Sequence, residues 1–115
     1  MKEFDHIGLT TTEKQPNEMY VEATKVWVTD PHQSPQMVEY LRYEPDSPVS
    51  GPLRELPHVC YRVENLDDEI EGEEVILGPF APTEQLRVAF IYKDGVVYEF
   101  MESSAGKDWH KSSGA

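Results

Sequence analysis

The stretch Leu56-Pro57-His58-Val59-Cys60-Tyr61-Arg62-Val63 is echoed at the start of the chain by Phe4-Asp5-His6-Ile7-Gly8-Leu9. In both stretches a histidine is followed by a large apolar residue, a small residue and another large residue. Side chains of a β-strand alternate between its two faces, so each histidine is expected on the face opposite the bulky apolar residues. Two such strands about fifty residues apart predict an internal repeat.

A second pair of strands extends the repeat. Met37 to Leu41 and Val97 to Met101 are each an apolar strand with a glutamate, Glu39 or Glu99, at its centre. A carboxylate that has apolar neighbours in phase on both sides is costly to desolvate unless it is paired or binds a metal. Each half of the chain therefore combines an early strand carrying a histidine with a late strand carrying a glutamate.

The other local signals are mostly those of strands and turns. β-branched and aromatic residues predict one long or two short strands between Met19 and Asp30, and a strand from Glu74 to Phe80 that Pro79 ends. Lys93-Asp94-Gly95 predicts a hairpin between Leu86 to Tyr92 and Val96 to Glu102. We expect a single helix, within Glu64 to Gly72, with Asn65 as its N-cap and Leu66 and Ile70 as its buried residues.

Length and composition fit one domain of residues 1–103 followed by a loose tail, 104–115. The turn-rich segment 45–52 divides this domain into modules of about 1–50 and 53–103. The predicted class is α+β with mostly β-structure. One cysteine excludes an internal disulfide, and neither a signal segment nor an apolar run of about eighteen residues is present, which favours the cytoplasm.

The formal net charge of −12 argues against two classes of partner. Lysine and arginine residues form no cluster, so the field of the protein would repel both nucleic acid and an anionic membrane surface. A small-molecule ligand is the expected partner.

If the two modules are related by a pseudo-twofold axis, His6, Glu39, His58 and Glu99 come together. Imidazole nitrogens and carboxylates suit divalent zinc, iron, manganese, nickel or cobalt. Four protein ligands leave a position open, where the metal could polarise a carbonyl oxygen of a substrate. Glu39 or Glu99 could detach and act as a general base. Taken singly, each histidine could instead be a hydrogen-bonded core residue, and each glutamate a solvent-facing residue or an ion-pair partner.

Four further residues are candidates for substrate contacts: Arg62, Trp27, Arg87 and Cys60. The two arginines could bind a carboxylate or could be surface charges, and the tryptophan could form core or cavity wall. Cys60 fits a small core residue better than a nucleophile, because no second cysteine supports thiol chemistry. His32, in a turn, and His110, in the tail, are expected to be solvated.

The sequence resembles the vicinal-oxygen-chelate superfamily, which includes glyoxalase I, methylmalonyl-CoA epimerase, extradiol dioxygenases, and the fosfomycin and bleomycin resistance proteins. Three segments carry the resemblance: Asp5 to Leu9, Pro57 to Asp67 and Val88 to Glu102. Val38 to Leu41, followed by Pro45 to Val49, looks most like the branch of glyoxalase I and methylmalonyl-CoA epimerase. The resemblance spans residues 4–102 and is stronger in the second half.

This resemblance implies two βαβββ modules that form a half-open barrel around a metal, with the ligands at His6, Glu39, His58 and Glu99. It also implies a homodimer. Thr11 to Glu18 is too short and too polar for the first helix of that pattern, and the second helix is shortened as well. A partner subunit is therefore expected over the backs of the sheets.

The function expected from the resemblance is that of a glyoxalase-like, metal-dependent lyase or isomerase acting on a small substrate chelated through its oxygens. One alternative is a non-catalytic small-molecule binding protein of the bleomycin-resistance type. An iron-dependent dioxygenase using His6, His58 and Glu99 is a third possibility, which Glu39 weakens because it would fill a fourth position.

Overall fold

A computed structural model describes residues 2–105 of the chain. Its eight strands are β1 (Lys2–Thr10), β2 (Met19–Val21), β3 (Val26–Val28), β4 (Val38–Tyr43), β5 (His58–Val63), β6 (Val75–Thr83), β7 (Leu86–Lys93) and β8 (Val96–Ser103). Two short helices, α1 (Pro52–Glu55) and α2 (Leu66–Ile70), and a 3-10 helix, Pro31–Gln33, complete the described elements. No helix among these residues is long and apolar enough to cross a membrane.

All eight strands belong to one sheet in the order β2-β3-β4-β1-β5-β8-β7-β6. Within each half the first strand pairs in parallel with the last, β1 with β4 and β5 with β8. The two halves meet where β1 and β5 pair antiparallel. This order is symmetric about the β1–β5 pair, and the sheet curls into a half-open barrel, which confirms the predicted mostly-β fold.

The second half has apolar side chains on both faces of its strands. The cluster inside the barrel consists of Val49, Leu53, Cys60, Leu86, Val88, Phe90, Val97 and Met101. The cluster on the outer face consists of Val63, Leu66, Ala89, Ile91 and Phe100. Leu66 of α2 is fully buried in the outer cluster, and Ile70 packs against it, as the sequence predicted. The Asn65 side chain caps this helix by accepting a hydrogen bond from the Asp68 backbone N–H at 3.0 Å.

The hairpin between β7 and β8 also forms as predicted. Lys93 pairs with Val96, which leaves Asp94 and Gly95 as a two-residue turn. Both residues have positive φ, 53° and 80°, the combination that a type I′ turn requires and that the Asp-Gly sequence favours.

Three features differ most from the sequence predictions. A second helix, α1, lies in the segment predicted as a turn-rich link, with Pro52 at its first turn. Strand β6 continues past Pro79 to Thr83. It is an edge strand with bulges, where a proline, which has no N–H to donate to a neighbouring strand, is tolerated. Strand β4 begins at Val38, since Met37 has a φ of 57° and so lies outside the extended strand.

The first half lacks the helix that α2 supplies to the second, as the sequence predicted for Thr11 to Glu18. Phe4 and Tyr40 in this half remain 47% and 38% exposed. The predicted tail lies outside the described residues except for Ser104 and Ala105, and His110 lies outside them too.

One ion pair anchors the loop that replaces the helix. The Glu18 carboxylate, almost fully buried, accepts hydrogen bonds from Arg42 Nε at 2.8 Å and Nη2 at 2.7 Å. The hydrogen bonds from Arg42 lower the pKa of Glu18 below its ordinary value. The folded protein therefore holds this proton less tightly than the unfolded chain, so the stabilisation is complete above the ordinary pKa of about 4.3 and disappears as the pH falls through the lower, folded value.

We therefore expect Glu18→Gln to cost about 1–2 kcal/mol in the free energy of unfolding at pH 7. The difference from the unsubstituted protein is expected to shrink as the pH falls below about 4. Urea denaturation at pH 7, 5 and 3 measures it, with Glu13→Gln, an exposed glutamate of the same loop, as the matched control. A cost that stays constant with pH would contradict the assigned ion pair.

Candidate metal centre

Four neighbouring strands at the centre of the sheet carry the four predicted ligands. His6 lies on β1, Glu39 on β4, His58 on β5 and Glu99 on β8, and all four side chains are buried. The register aligns each glutamate with the residue two positions after a histidine: Glu39 with Gly8, and Glu99 with Cys60. Because successive strand residues alternate faces, that alignment directs all four side chains into the barrel.

Two imidazole nitrogens and two carboxylate oxygens converge at one point. His6 Nε2 lies 3.4 Å from Glu39 Oε1 and 3.5 Å from Glu99 Oε1. His58 Nε2 lies 3.2 Å from Glu99 Oε1 and 3.9 Å from Glu39 Oε1. The structure thus brings together the four residues that the sequence repeat singled out, with their ligand atoms within 4.8 Å of one another.

This arrangement fits a divalent transition metal. An ion bonded at about 2.1 Å places adjacent ligand atoms about 3.0–3.4 Å apart, close to most of the observed separations. The His58 Nε2 atom is buried and makes no hydrogen bond of good geometry, as expected for a nitrogen whose lone pair binds a metal. Nitrogen and carboxylate donors suit zinc, iron, manganese, nickel or cobalt.

Electrostatics within the cluster favours the ionised form of Glu99. Burial alone would raise the pKa of Glu99, but the neighbouring His58 and His6 imidazoles outweigh it and lower the pKa to about 2. Burial likewise opposes the charged form of His6, yet Cys60, Glu39 and Asp5 around it raise its pKa well above the ordinary value. Without a metal, a protonated His6 therefore balances part of the carboxylate charge, and a bound metal would take the place of its Nε2 proton.

Asp5 is a candidate positioning residue that the sequence alone did not indicate. It lies at a bulge in the β1–β5 pairing, between Phe4 and His6, and is only 1% exposed. Its Oδ2 lies 2.7 Å from His6 Nδ1. With a proton on Nδ1, His6 presents the lone pair of Nε2 to the metal position, which is how a carboxylate orients a metal-binding histidine. An acidic residue directly before His6, where His58 has a proline, was the signal.

Two further side chains hold Asp5 in place. Arg62 Nε donates to Asp5 Oδ1 at 3.0 Å, and His32 Nε2 lies 3.2 Å from the same oxygen. His32 was predicted to be solvated. The prediction was wrong, because the 3-10 helix carries this half-buried ring back onto β1.

We expect Asp5→Asn to weaken metal binding about 10- to 100-fold, since asparagine keeps the volume but loses the charge that orients His6. Competition with a chromophoric chelator measures the affinity. Arg62→Gln is the control, because it removes a partner of Asp5 and leaves the contact between Asp5 and His6 intact. Unchanged affinity in Asp5→Asn would contradict the positioning role.

A cavity of about 510 Å³ opens onto the cluster. Glu39, His58 and Glu99 lie in its wall, whereas the fully buried His6 lies behind it. The rest of the wall comes from β2 to β4 on one side and β6 to β8 on the other, with Leu53 of α1. A molecule bound in this cavity would reach a metal held by the four ligands.

The four candidates for substrate contacts all lie outside the wall of this cavity. Arg62 pairs with Asp5, and Arg87 pairs with Asp67 at 3.2 Å. The Trp27 indole donates to Glu44 at 2.7 Å. Cys60 is fully buried beside His6, and burial raises the pKa of its thiol well above the ordinary value, which keeps it neutral.

Comparison with solved structures identifies the fold. A hypothetical protein from Bacillus halodurans superposes with a TM-score of 0.64 at 20% identity, over 90% of this chain and 95% of the other. Methylmalonyl-CoA epimerase from Mycobacterium tuberculosis gives a TM-score of 0.58 at 14% identity, over 89% of this chain and 88% of the epimerase. No protein-family profile and no curated protein matches the sequence. The chain thus shares the fold of these two proteins, and at these identities the likeness concerns the fold alone.

Proposed function

We propose that this protein is a metal-dependent lyase or isomerase whose small substrate binds the metal through two neighbouring oxygens. The observation that carries the proposal is the meeting of two imidazole nitrogens and two carboxylate oxygens at the wall of a cavity. The fold shared with an epimerase supports it. When bound, the metal would act as a Lewis acid that makes a proton next to a carbonyl easier to remove.

His6, His58 and Glu99 would hold the metal throughout, and Glu39 would be the ligand that detaches to move a proton. Glu99 lies 3.2 Å from His58 Nε2, and its pKa of about 2 makes it a weak base. Both carboxylates line the cavity and lie at similar distances from His6 Nε2, 3.4 Å for Glu39 and 3.5 Å for Glu99. Glu39 lies farther from His58 Nε2, at 3.9 Å, which makes it the more loosely held of the two. Its Oε would accept the proton from one carbon and return it to the neighbouring oxygen-bearing carbon, a transfer that a single base on one face can complete in an isomerase.

Exchange of a carbon-bound proton tests this function without knowledge of the natural substrate. The probe is 2-hydroxyacetophenone, an uncharged α-hydroxyketone with vicinal oxygens and protons next to its carbonyl. We expect protein loaded with zinc, nickel, cobalt or manganese to speed deuterium incorporation from heavy water, followed by proton NMR, and metal-free protein to leave it at the background rate.

The Glu39→Gln variant keeps the side-chain volume and removes the base, so its exchange is expected to fall at least about 100-fold. Glu13→Gln is the exposed control. Binding of the probe without exchange, for every metal, would refute the enzyme and favour the alternative of a small-molecule binding protein. Normal exchange in Glu39→Gln would refute the assigned base. A cytoplasmic location and a homodimer remain predictions from the sequence.

A further inference from the structure

We infer that the cavity selects a ligand whose body is apolar and carries no negative charge beyond the oxygens that bind the metal. This inference rests on the proposed function, since it assumes a metal at the four ligands. It narrows the substrate class from any oxygen-bearing molecule to uncharged ones, and it is carried by the wall of the cavity.

The wall of the cavity is strongly apolar. Its larger side chains include Val28, Leu41, Leu77, Phe80, Val88 and Met101. The ionisable side chains that accompany the ligand residues in the wall are Glu22, at the exposed rim, Tyr20 and Tyr43. No lysine or arginine lines the cavity in the part of the chain that the structure describes. An anionic group buried there would lose its water without gaining a cationic partner.

Six basic residues outside the wall have partners elsewhere. Three arginines form ion pairs: Arg42 with Glu18 at 2.7 Å, Arg62 with Asp5 at 3.0 Å, and Arg87 with Asp67 at 3.2 Å. Arg54 donates hydrogen bonds to the carbonyl oxygens of Val49 and Glu44, at 3.2 Å each. Lys25 and Lys93 pair with Asp46 and Glu73. Moving one of these cations to the cavity would break an existing ion pair or hydrogen bond, several of which are partly buried, so the ligand would have to compensate for that loss.

The raised pKa of the wall residue Tyr43 is a second sign that the cavity is apolar. Burial, together with the nearby Glu39 and Glu99 carboxylates, raises the pKa of this phenol well above its usual value. Burial, the largest of these causes, acts with or without a bound metal, so the cavity disfavours an unpaired negative charge on its own wall, as it would on a ligand. The net charge of −12 acts in the same direction, because it lowers the rate at which anions approach.

Two probes that differ by one charge test the inference. Benzohydroxamic acid and 4-carboxybenzohydroxamic acid chelate a metal through the same two oxygens, and only the second carries a carboxylate on its ring. Calorimetric titration of the zinc-loaded protein is expected to give an affinity on the order of 100-fold higher for the first probe. Equal affinities, or tighter binding of the carboxylate, would overturn the inference.

A matched pair of variants tests whether the absence of a cation from the cavity wall causes this difference in affinity. Leu77 lies half-buried on the edge strand β6, so a lysine there can place its amine at the rim of the cavity. The ratio of the two affinities, uncharged probe over carboxylate probe, is expected to be at least about 10-fold smaller for Leu77→Lys than for Leu77→Gln. The lysine would improve binding of the carboxylate probe alone. An unchanged preference would show that the missing cation is not its cause, and would also overturn the inference.

The zinc content, measured before the titration, separates this inference from the proposed function. A protein that binds zinc but does not discriminate between the probes overturns the inference and leaves the proposed metal site intact. A protein that binds no zinc overturns both.

Discussion

Glu99→Gln is expected to lose the metal, with the bound metal per chain falling from about one to near zero at micromolar concentrations. The substitution keeps the size of the side chain and replaces a carboxylate oxygen that lies 3.2 Å from His58 Nε2 and 3.5 Å from His6 Nε2. Mutation of a residue that only orients a ligand typically lowers metal affinity about 10- to 100-fold. A ligand itself is therefore expected to be worth at least about 100-fold.

Metal analysis of untagged, folded protein measures this loss, with circular dichroism to confirm the fold. Thermal unfolding gives a second readout, because a ligand that binds the folded state raises the melting temperature. Added zinc is expected to raise it for the unsubstituted protein and for Glu13→Gln, but not for Glu99→Gln. One equivalent of metal retained in Glu99→Gln would show that Glu99 is not a ligand.

Gly8→Ala is expected to disturb the site although residue 8 carries no ligand atom. Gly8 lies opposite His58 in the β1–β5 pairing, and a Cβ atom built on it would sit 2.1 Å from His58 Cε1 and 2.4 Å from Nε2. Carbon atoms in contact lie about 3.5–4.0 Å apart, so the imidazole would have to turn away. We expect at least about 10-fold weaker metal binding and a loss of about 1–3 kcal/mol in stability.

The direction of the stability change in Gly8→Ala distinguishes a collision with His58 from the effect of strand propensity. Alanine in an unhindered strand position is favoured over glycine by about 0.5–1 kcal/mol, so destabilisation must come from the close approach of the ring. A double-mutant cycle with His58→Ala isolates that contact, because removing the ring frees the space. If Gly8→Ala costs as much without the ring as with it, the proposed collision with His58 is wrong.

Local patterns account for much of the fold. The Asp-Gly turn predicts the β7–β8 hairpin, and Asn65 with Leu66 and Ile70 predicts α2, because each signal lies within a few residues of the element that it specifies. Where a tertiary contact decides, the local pattern fails. Pro79 reads as the end of a strand, yet β6 runs past it because an edge strand tolerates a missing donor.

The sequence by itself determined which four residues form the candidate metal centre. Each module repeats a histidine strand and a glutamate strand, and the two-residue period of a strand assigns both to one face. Only the tertiary structure decided what surrounds them. Asp5 behind His6, the ion pairs that keep the arginines away and the apolar cavity all depend on pairing between strands that are distant in sequence, which no local pattern records.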